Sequence, residues 1–432
     1  MNRIREVNNI PITYLPKGNV MYLMMRDCRI EDNHALLLAQ EEAIKNKQGL
    51  IICFTIVKDM SQRQYCFIQD GMKEIETTAK KLNIPFLFIM PNTDILSSKW
   101  LKKFNISRII SDFSPLKEIL SFKQKIPISC FDVDTHNIVP VWITSDKQEY
   151  AARTIRSKIL KHLSFFGVEP NKITKHPFKA NYPNFENNWN LYNPLPYGES
   201  ISWCKSGPTN GINQLSYFLE NIKGYSLNRN NPLKEAISNI SPWLHFGFVS
   251  SLRCYLNANK LKQETKIKSI KNDINAFIEE IVIRKELSDN YCFYNKKYDS
   301  VLGLPEWSLK TLEKHNNDKR CVIYTYNTFL NATTHDKAWN FAQKQLIEKG
   351  KIHGYLRMFW CKKIIEWTSN FKTAYEYSIK LNDYYSIDGN DPNGFVGVLW
   401  CFGLHDRAWT ERNIFGKVRY MSRIGTELNK KL

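Results

Sequence analysis

The sequence predicts two unlike halves. An α/β parallel-sheet amino-terminal domain is expected over residues 1–165 and an all-α carboxy-terminal domain over residues 206–432, joined by a linker at residues 166–205. Three observations predict this. Apolar strand-like runs alternate with amphipathic helical stretches through the first third, the pattern of βαβ units whose sheet is covered on both faces. From Gly211 onward apolar residues recur with the helical period and no strand alternation remains. Between the two, His176–Ser200 is rich in Pro, Asn and Tyr and has little periodicity, as suits an ordered segment wrapping between domains.

Taken in order, Val20–Met25 reads as a strand and Glu31–Lys47 as a helix with Ala35, Leu38, Ala39 and Ala43 on one face. Leu50–Val57 is a continuous apolar strand, Tyr65–Leu82 a helix, Pro85–Met90 a strand and Arg108–Ile110 a short strand. Pro115–Lys125 is helical and Ile128–Val133 a strand. Ser145–Phe166 reads as one helix opened by a Ser145/Gln148 capping box. Beyond the linker, helices are expected over Ile212–Lys223, Val249–Leu261, Ile267–Leu287, Thr334–Lys349, Lys351–Thr368 and Phe371–Leu381. The stripe Ile270, Ile274, Phe277, Ile278 and Ile281 is the clearest of these.

Composition narrows the function. Lys and Arg number 61 against 42 Asp and Glu, a net charge of +19, which favours a polyanionic partner. A hydrophobic share of 43% excludes a mainly disordered chain. The apolar runs Gly49–Val57 and Phe395–Leu404 fall far short of the ~20 residues that span a bilayer, so no membrane role is expected. No secretory signal is visible at the start. Ten cysteines are scattered without C-x-x-C spacing, so neither a disulfide framework nor a metal site is expected, and the setting reads as reduced and intracellular. No G-x-G-x-x-G or P-loop follows any strand.

Four segments are candidates for chemistry, each with a bland alternative. In Gly350–Trp367, His353 and Arg357 would share a helix face with Trp360 and Ile364, as ligand contacts or as a packed core. Leu381–Trp400 holds Asp, Asn and Gly between apolar stretches, a loop for a polar ligand or a self-bonded turn. Ser238–Gly247 offers Ser, Asn and Ser before an apolar segment, a phosphate-holding or merely capping helix start. Phe277–Glu286 places Glu279 and Glu280 in an apolar helix, where Glu280 with Arg284 would be an ordinary i,i+4 pair.

Together with MYLMMRDCRIEDNHALL (Met21–Leu37), SDFSPLK (Ser111–Lys117), VDTHNIVPVW (Val133–Trp142), SDKQEYAARTIRSKI (Ser145–Ile159), RKELSDNYCFYNKKYDS (Arg284–Ser300), THDKAWNFAQ (Thr334–Gln343), NDYYSIDGNDPNGFVG (Asn382–Gly397) and FGKVRYMS (Phe415–Ser422), these segments run in one order along the chain. In that order the chain resembles the class II cyclobutane pyrimidine dimer photolyases of the cryptochrome/photolyase superfamily. The resemblance implies a Rossmann-like amino-terminal domain. It also implies a helical domain that binds one non-covalent FAD, reduced in the active state, and light-driven repair of pyrimidine dimers in DNA.

Residue by residue, the resemblance assigns Tyr225, Arg229, Ser238, Asn239, Ile240, Ser241, Arg357, Asn382, Asp388 and Asp391 to the cofactor. Glu280 and Trp400 would meet the flipped dimer, with Asn382 beside the flavin's reactive ring nitrogen. Trp360 and Trp339, with Tyr324 and Trp367 as auxiliaries, would carry electrons during photoactivation, Trp367 reading equally well as core. Arg284, standing where some members have a second indole, and Arg407, Trp409 and Arg419 would contact DNA. WCFGLH (Trp400–His405) is one residue shorter than the family pattern. A second antenna pigment, deazaflavin or folate, is an open possibility. UV-damaged DNA is the expected partner, the chain acting as a monomer in nucleus or cytoplasm, wherever that DNA resides. A (6-4) photoproduct enzyme would need adjacent histidines where this chain has His353–Gly354, and a flavin-free DNA-binding module gives the Asn/Asp loop no purpose. The remaining alternative is a cryptochrome-like photoreceptor without repair activity, which usually carries a long tail after the segment matching Phe415–Ser422 and which loss of Glu280 or Trp400 would have favoured.

Overall fold

A computed structural model describes residues 2–8, 10, 18–90 and 96–421. Strands β1 (Ile4–Glu6), β2 (Asn19–Met24), β3 (Leu50–Thr55), β4 (Phe86–Ile89), β5 (Ile106–Asp112) and β6 (Cys130–Val133) form one sheet in the order β1-β6-β5-β2-β3-β4. All neighbours are parallel except β1, which pairs antiparallel with β6. Every residue of β2, β3 and β4 is buried, as expected when helices cover both faces. Helices α1 (His34–Lys45), α2 (Gln62–Lys81), α3 (Ser98–Lys103) and α4 (Lys117–Gln124) supply that cover. The half-exposed, three-residue β1 carries no periodic signal and was not expected.

The reading of Ser145–Phe166 needs correction. Pro140 opens a short helix α5 (Val141–Thr144), and the long helix α6 starts only at Ala152 and runs to Phe166. Ser145 does not cap it. Its hydroxyl donates to Glu149 at 2.6 Å, and the Ala151 N–H donates instead to Thr154 Oγ1 at 3.3 Å.

The helical half comprises α7 (Pro208–Glu220), α8 (Tyr225–Asn228), α9 (Ser241–His245), α10 (Ser251–Glu264), α11 (Lys268–Ile278), α12 (Lys285–Tyr294), α13 (Glu306–Lys314), α14 (Tyr326–Leu330), α15 (Lys337–Lys349), α16 (Gly354–Glu366), α17 (Phe371–Tyr385) and α18 (Pro392–Cys401). The single helix predicted over Ile267–Leu287 is interrupted, because Glu279–Arg284 forms a π-turn between α11 and α12. The expected loop Leu381–Trp400 is mostly helix, Asn382 lying in α17 and Trp400 near the end of α18.

Buried charge joins the halves. Arg26, just after β2, makes a bidentate pair with Asp289 of α12 at 2.7 and 2.8 Å. Arg63 of α2 donates to the carbonyls of Leu346 (3.1 Å), Tyr385 (2.6 Å) and Ile347, satisfying open C-terminal carbonyls of α15 and α17. Among the described residues no helix is long and apolar enough to cross a membrane.

Candidate functional site

A cluster of polar side chains, the candidate pocket, gathers where α8, the start of α9, the start of α16 and the α17–α18 turn meet. Arg229, capping α8, pairs with Glu280 Oε1 at 2.8 Å and lies 5.9 Å from the Tyr225 ring. Burial, aided by Glu280, pushes the Tyr225 hydroxyl up to about 12. Asn239 takes a left-handed backbone (φ 55°) and accepts from Lys351 Nζ at 2.9 Å. The expected side-chain cap by Ser238–Ser241 is absent: α9 starts at Ser241, its cap residue Ile240 makes no side-chain bond, and Pro242 in its first turn has no N–H to donate one.

His353 is not on the helix face expected for it. It is the N-cap of α16, its Nδ1 accepting from the Tyr355 N–H at 3.2 Å. One turn later Arg357 Nη2 stands 3.8 Å from Asp388 Oδ1, too long for a hydrogen bond, and that buried oxygen has no other partner. Burial lowers the Lys351 ammonium to about 8; Asp388 opposes this shift and Arg357 adds to it. A half-buried ammonium hydrogen-bonded to a neutral amide and lying 5.5 Å from the Trp203 ring, beside a guanidinium and an unsatisfied carboxylate oxygen, is a donor and acceptor set suited to a polar, anionic ligand.

Asn382 is buried, its amide donating to Asp383 Oδ1 at 3.0 Å and its carbonyl accepting from Ser386 at 3.3 Å. A Cβ on Gly394 would lie 2.9 Å from Asn382 Nδ2, so glycine lets α18 approach this amide. A Cβ on Gly397 would meet nothing within 4 Å, so α18 faces open space one turn before Trp400. Asp391 is not brought to this pocket. It caps α18 at Asn393 N (2.8 Å) and accepts from His245 Nδ1 at 2.9 Å. Burial alone would raise its carboxyl, but His245 outweighs this and holds it well below the usual range.

The π-turn sets the next wall. Its extra residue puts Arg284 beside Glu279 (Nε–Oε1 3.4 Å), not beside Glu280 as the i,i+4 expectation had it. Glu279 is also held by Arg156 of α6 at 2.6 and 3.1 Å. The Arg284 guanidinium then lies 5.4 Å from the Trp400 ring centre.

A file of aromatic rings leads outward from α16. Trp360 and Trp339 stack at 6.3 Å with planes 7° apart, Trp367 follows Trp339 edge-on at 6.3 Å, and Tyr324 follows Trp367 at 5.9 Å. Both buried indoles are hydrogen-bonded, Trp339 Nε1 to the Trp360 carbonyl (2.9 Å) and Trp360 Nε1 to Gln343 (2.8 Å).

After α18 the chain forms a rim. Trp409 N donates to the Lys417 carbonyl at 2.8 Å, and the exposed indole lies between Arg407 and Arg419, 5.2 and 5.1 Å from its centre. Separately, a cleft of about 80 Å³ opens beyond the C-terminal ends of β2, β3 and β5, lined by Met25, Ile56, Lys58, Met60, Leu116 and Asp391 among others. This is the switch point of the parallel strands, where such sheets hold ligands. Among the described residues no group of three or more His, Cys, Asp or Glu could hold a metal ion. Sequence reasoning missed Lys351, Arg156 and the Glu279–Arg284 pairing. Lys351 was legible as a cation beside His353; the other two depend on the π-turn.

Residues 20–180 match the DNA photolyase family. A deoxyribodipyrimidine photo-lyase of Potorous tridactylus is 40% identical over 420 residues, covering 94% of this chain and 78% of that protein. One from Arabidopsis thaliana is 37% identical over 433 residues (94% and 86%), and one from Methanothermobacter thermautotrophicus 36% over 431 residues (97% and 94%). Among solved structures, a Synechocystis cryptochrome superposes with a TM-score of 0.74 at 14% identity, over 93% of this chain and 85% of its own. A bacterial class III photolyase from Agrobacterium tumefaciens gives 0.69 at 17%, over 91% and 81%. At these identities the structural likeness is one of fold.

Proposed function

We propose that this chain, which belongs to the DNA photolyase family, uses light to return cyclobutane pyrimidine dimers in DNA to separate pyrimidines. The observation that carries the reading is identity of 36–40% over 94–97% of the chain to proteins all named deoxyribodipyrimidine photo-lyase. The polar cluster would hold one non-covalent FAD. Arg229, Asn239 and Lys351, with Tyr225, Ser238, Ile240 and Ser241 beside them, would hold the diphosphate side, and Arg357, Asn382 and Asp388 the flavin side. When bound, that cofactor supplies photoexcited reducing power.

The chain's own residues do the rest. Glu280, as the protonated acid once the substrate displaces Arg229 from it, would donate a hydrogen bond to the base edge of a flipped dimer, where negative charge develops during reaction. Trp400 and Arg284 form an indole–guanidinium wall against which an extruded base can stack. Trp360, Trp339, Trp367 and Tyr324 would relay electrons from the surface to restore the reduced state. Arg407 and Arg419 would neutralise flanking phosphates, with Trp409 held between them. A second, light-harvesting pigment would occupy the switch-point cleft, whose apolar floor (Ile56, Met60, Ile68, Ile119) suits a flat ring. The chain would act as a monomer on damaged DNA.

The test is an absorption spectrum of the purified protein, then repair of an oligonucleotide bearing one thymine dimer, illuminated and dark. A flavin spectrum with repair only under light is expected. Turnover in darkness refutes the reading, and a flavin spectrum with no repair under light returns the light-sensor alternative.

A further inference from the structure

We propose that His335 is the proton acceptor for Tyr324 at the outer end of the aromatic file, an inference that rests on reading the file as an electron path. Tyr324 is fixed from both ends. Its N–H donates to the Trp367 carbonyl at 2.8 Å, and its hydroxyl oxygen accepts from the His335 backbone N–H at 3.1 Å. The same hydroxyl lies 2.8 Å from His335 Nδ1. A backbone N–H can only donate, so it takes one lone pair of the phenol oxygen, and the phenol O–H is placed to donate to the ring nitrogen 2.8 Å away. In the proposed arrangement Nδ1 is the acceptor and the other ring nitrogen carries the proton. The His335 ring also packs 4.9 Å from Trp367 and is exposed, so it touches both the oxidant and water.

The step balances within the chain. One electron passes from Tyr324 to the oxidised Trp367 indole radical cation, the Tyr324 O–H bond breaks, and the proton moves to His335 Nδ1. The products are a neutral Trp367, a neutral tyrosyl radical and an imidazolium that releases its proton to solvent. Without an acceptor in place, electron loss would leave a protonated phenol radical cation, a strongly acidic species, and transfer to Trp367 would run uphill.

Two measurements test this on the full chain. The first is ¹⁵N NMR of His335, which needs no light. Nδ1 should show the unprotonated, hydrogen-bonded shift, and Tyr324→Phe should move it. The second is transient absorption and electron paramagnetic resonance of the oxidised, flavin-loaded protein after a flash. The native chain should form an indole radical and then a neutral tyrosyl radical, more slowly in deuterated water. His335→Phe should leave indole radical formation unchanged and slow the tyrosyl radical by about 100-fold, the lower range for loss of a general base, with partial rescue by His335→Gln. A tyrosyl radical at native rate in His335→Phe, or a protonated Nδ1 in the native chain, overturns the proposal. Absence of any indole radical in the native chain overturns the electron-path reading and this step with it.

Discussion

Replacing Asp289 by alanine should unseat the helical domain from the sheet. Asp289 is fully buried and Arg26 is 7% exposed, so the pair has almost no water to fall back on. Its two bonds to Arg26 (2.7 and 2.8 Å) are joined by one from Asn137 Nδ2 at 2.9 Å. Burial would raise the Asp289 carboxyl, but Arg26, with Lys285 and His136 behind it, holds it below the usual range. Removing the carboxylate leaves a buried guanidinium unpaired and withdraws the attraction that Lys285 feels. Breaking a buried pair in this way costs about 3–5 kcal/mol, and the second stranded cation places this case in the upper half. The assay is guanidinium unfolding followed by circular dichroism and tryptophan fluorescence, comparing Asp289→Ala with the paired change Arg26→Met/Asp289→Leu. The paired change removes both charges together and should recover more than half of the loss. A single variant within about 1 kcal/mol of native, or a paired variant no better than the single one, would show that the clasp does not dock the domains.

Acid should destabilise the protein well above the carboxylate range. Burial, reinforced by Arg26 and Lys285, lowers His136 to about 4, and burial lowers His405 to about 4, against 6.5 in the unfolded chain. Between pH 6.5 and 4 the unfolded state therefore binds two protons at these histidines that the native state refuses, against one that the native state holds on Glu286, which burial raises to about 8. The two histidines lower stability as pH falls, measurable as denaturant midpoints at pH 7.5 and 5. Trp339→Phe should cut flavin photoreduction by an order of magnitude or more while leaving dimer repair by chemically reduced protein unchanged; equal loss of both would mean Trp339 only packs. Glu280→Ala should slow repair by about 100-fold at unchanged flavin content, as for loss of one donor to a developing charge. Arg407→Ala and Arg419→Ala should each flatten the log K against log salt slope for damaged duplex by about 0.9, and an unchanged slope would remove that residue from the phosphate contacts.

Elements with strong periodicity were legible without coordinates. β2 and β3 are continuous apolar runs, and the stripe Ile270–Ile281 could only be a buried helix face. The failures have physical causes. Ser145 has the chemistry of a cap, but α6 begins only at Ala152 and the Ser145 hydroxyl turns to Glu149 four residues on, so one local pattern lost to another. Asp388 and Asp391 look alike in a short Asx-rich segment, yet one carboxylate remains unsatisfied at the pocket and the other is spent on His245 and the α18 cap. Nothing in their spacing separates them, because the α17–α18 turn decides which way each faces.

The π-turn shows how much chemistry such a hidden feature carries. Read as an α-helix, Phe277–Glu286 pairs Glu280 with Arg284 and leaves both charges satisfied by each other. The wider turn gives Arg284 to Glu279, and so to Arg156 of the sheet domain, and frees Glu280 to meet Arg229 in the pocket. One extra residue in the helical turn thus converts a single ion pair into two separate ones, a carboxyl paired with Arg229 and a guanidinium held over Trp400. The arrangement requires α6 to supply Arg156, so α6 takes part in setting the guanidinium over Trp400 even though the sheet strands lie elsewhere. Neutralising Glu279 alone would leave Arg156 and Arg284 as adjacent like charges, which drives the guanidinium off the indole and breaks the pairing over Trp400.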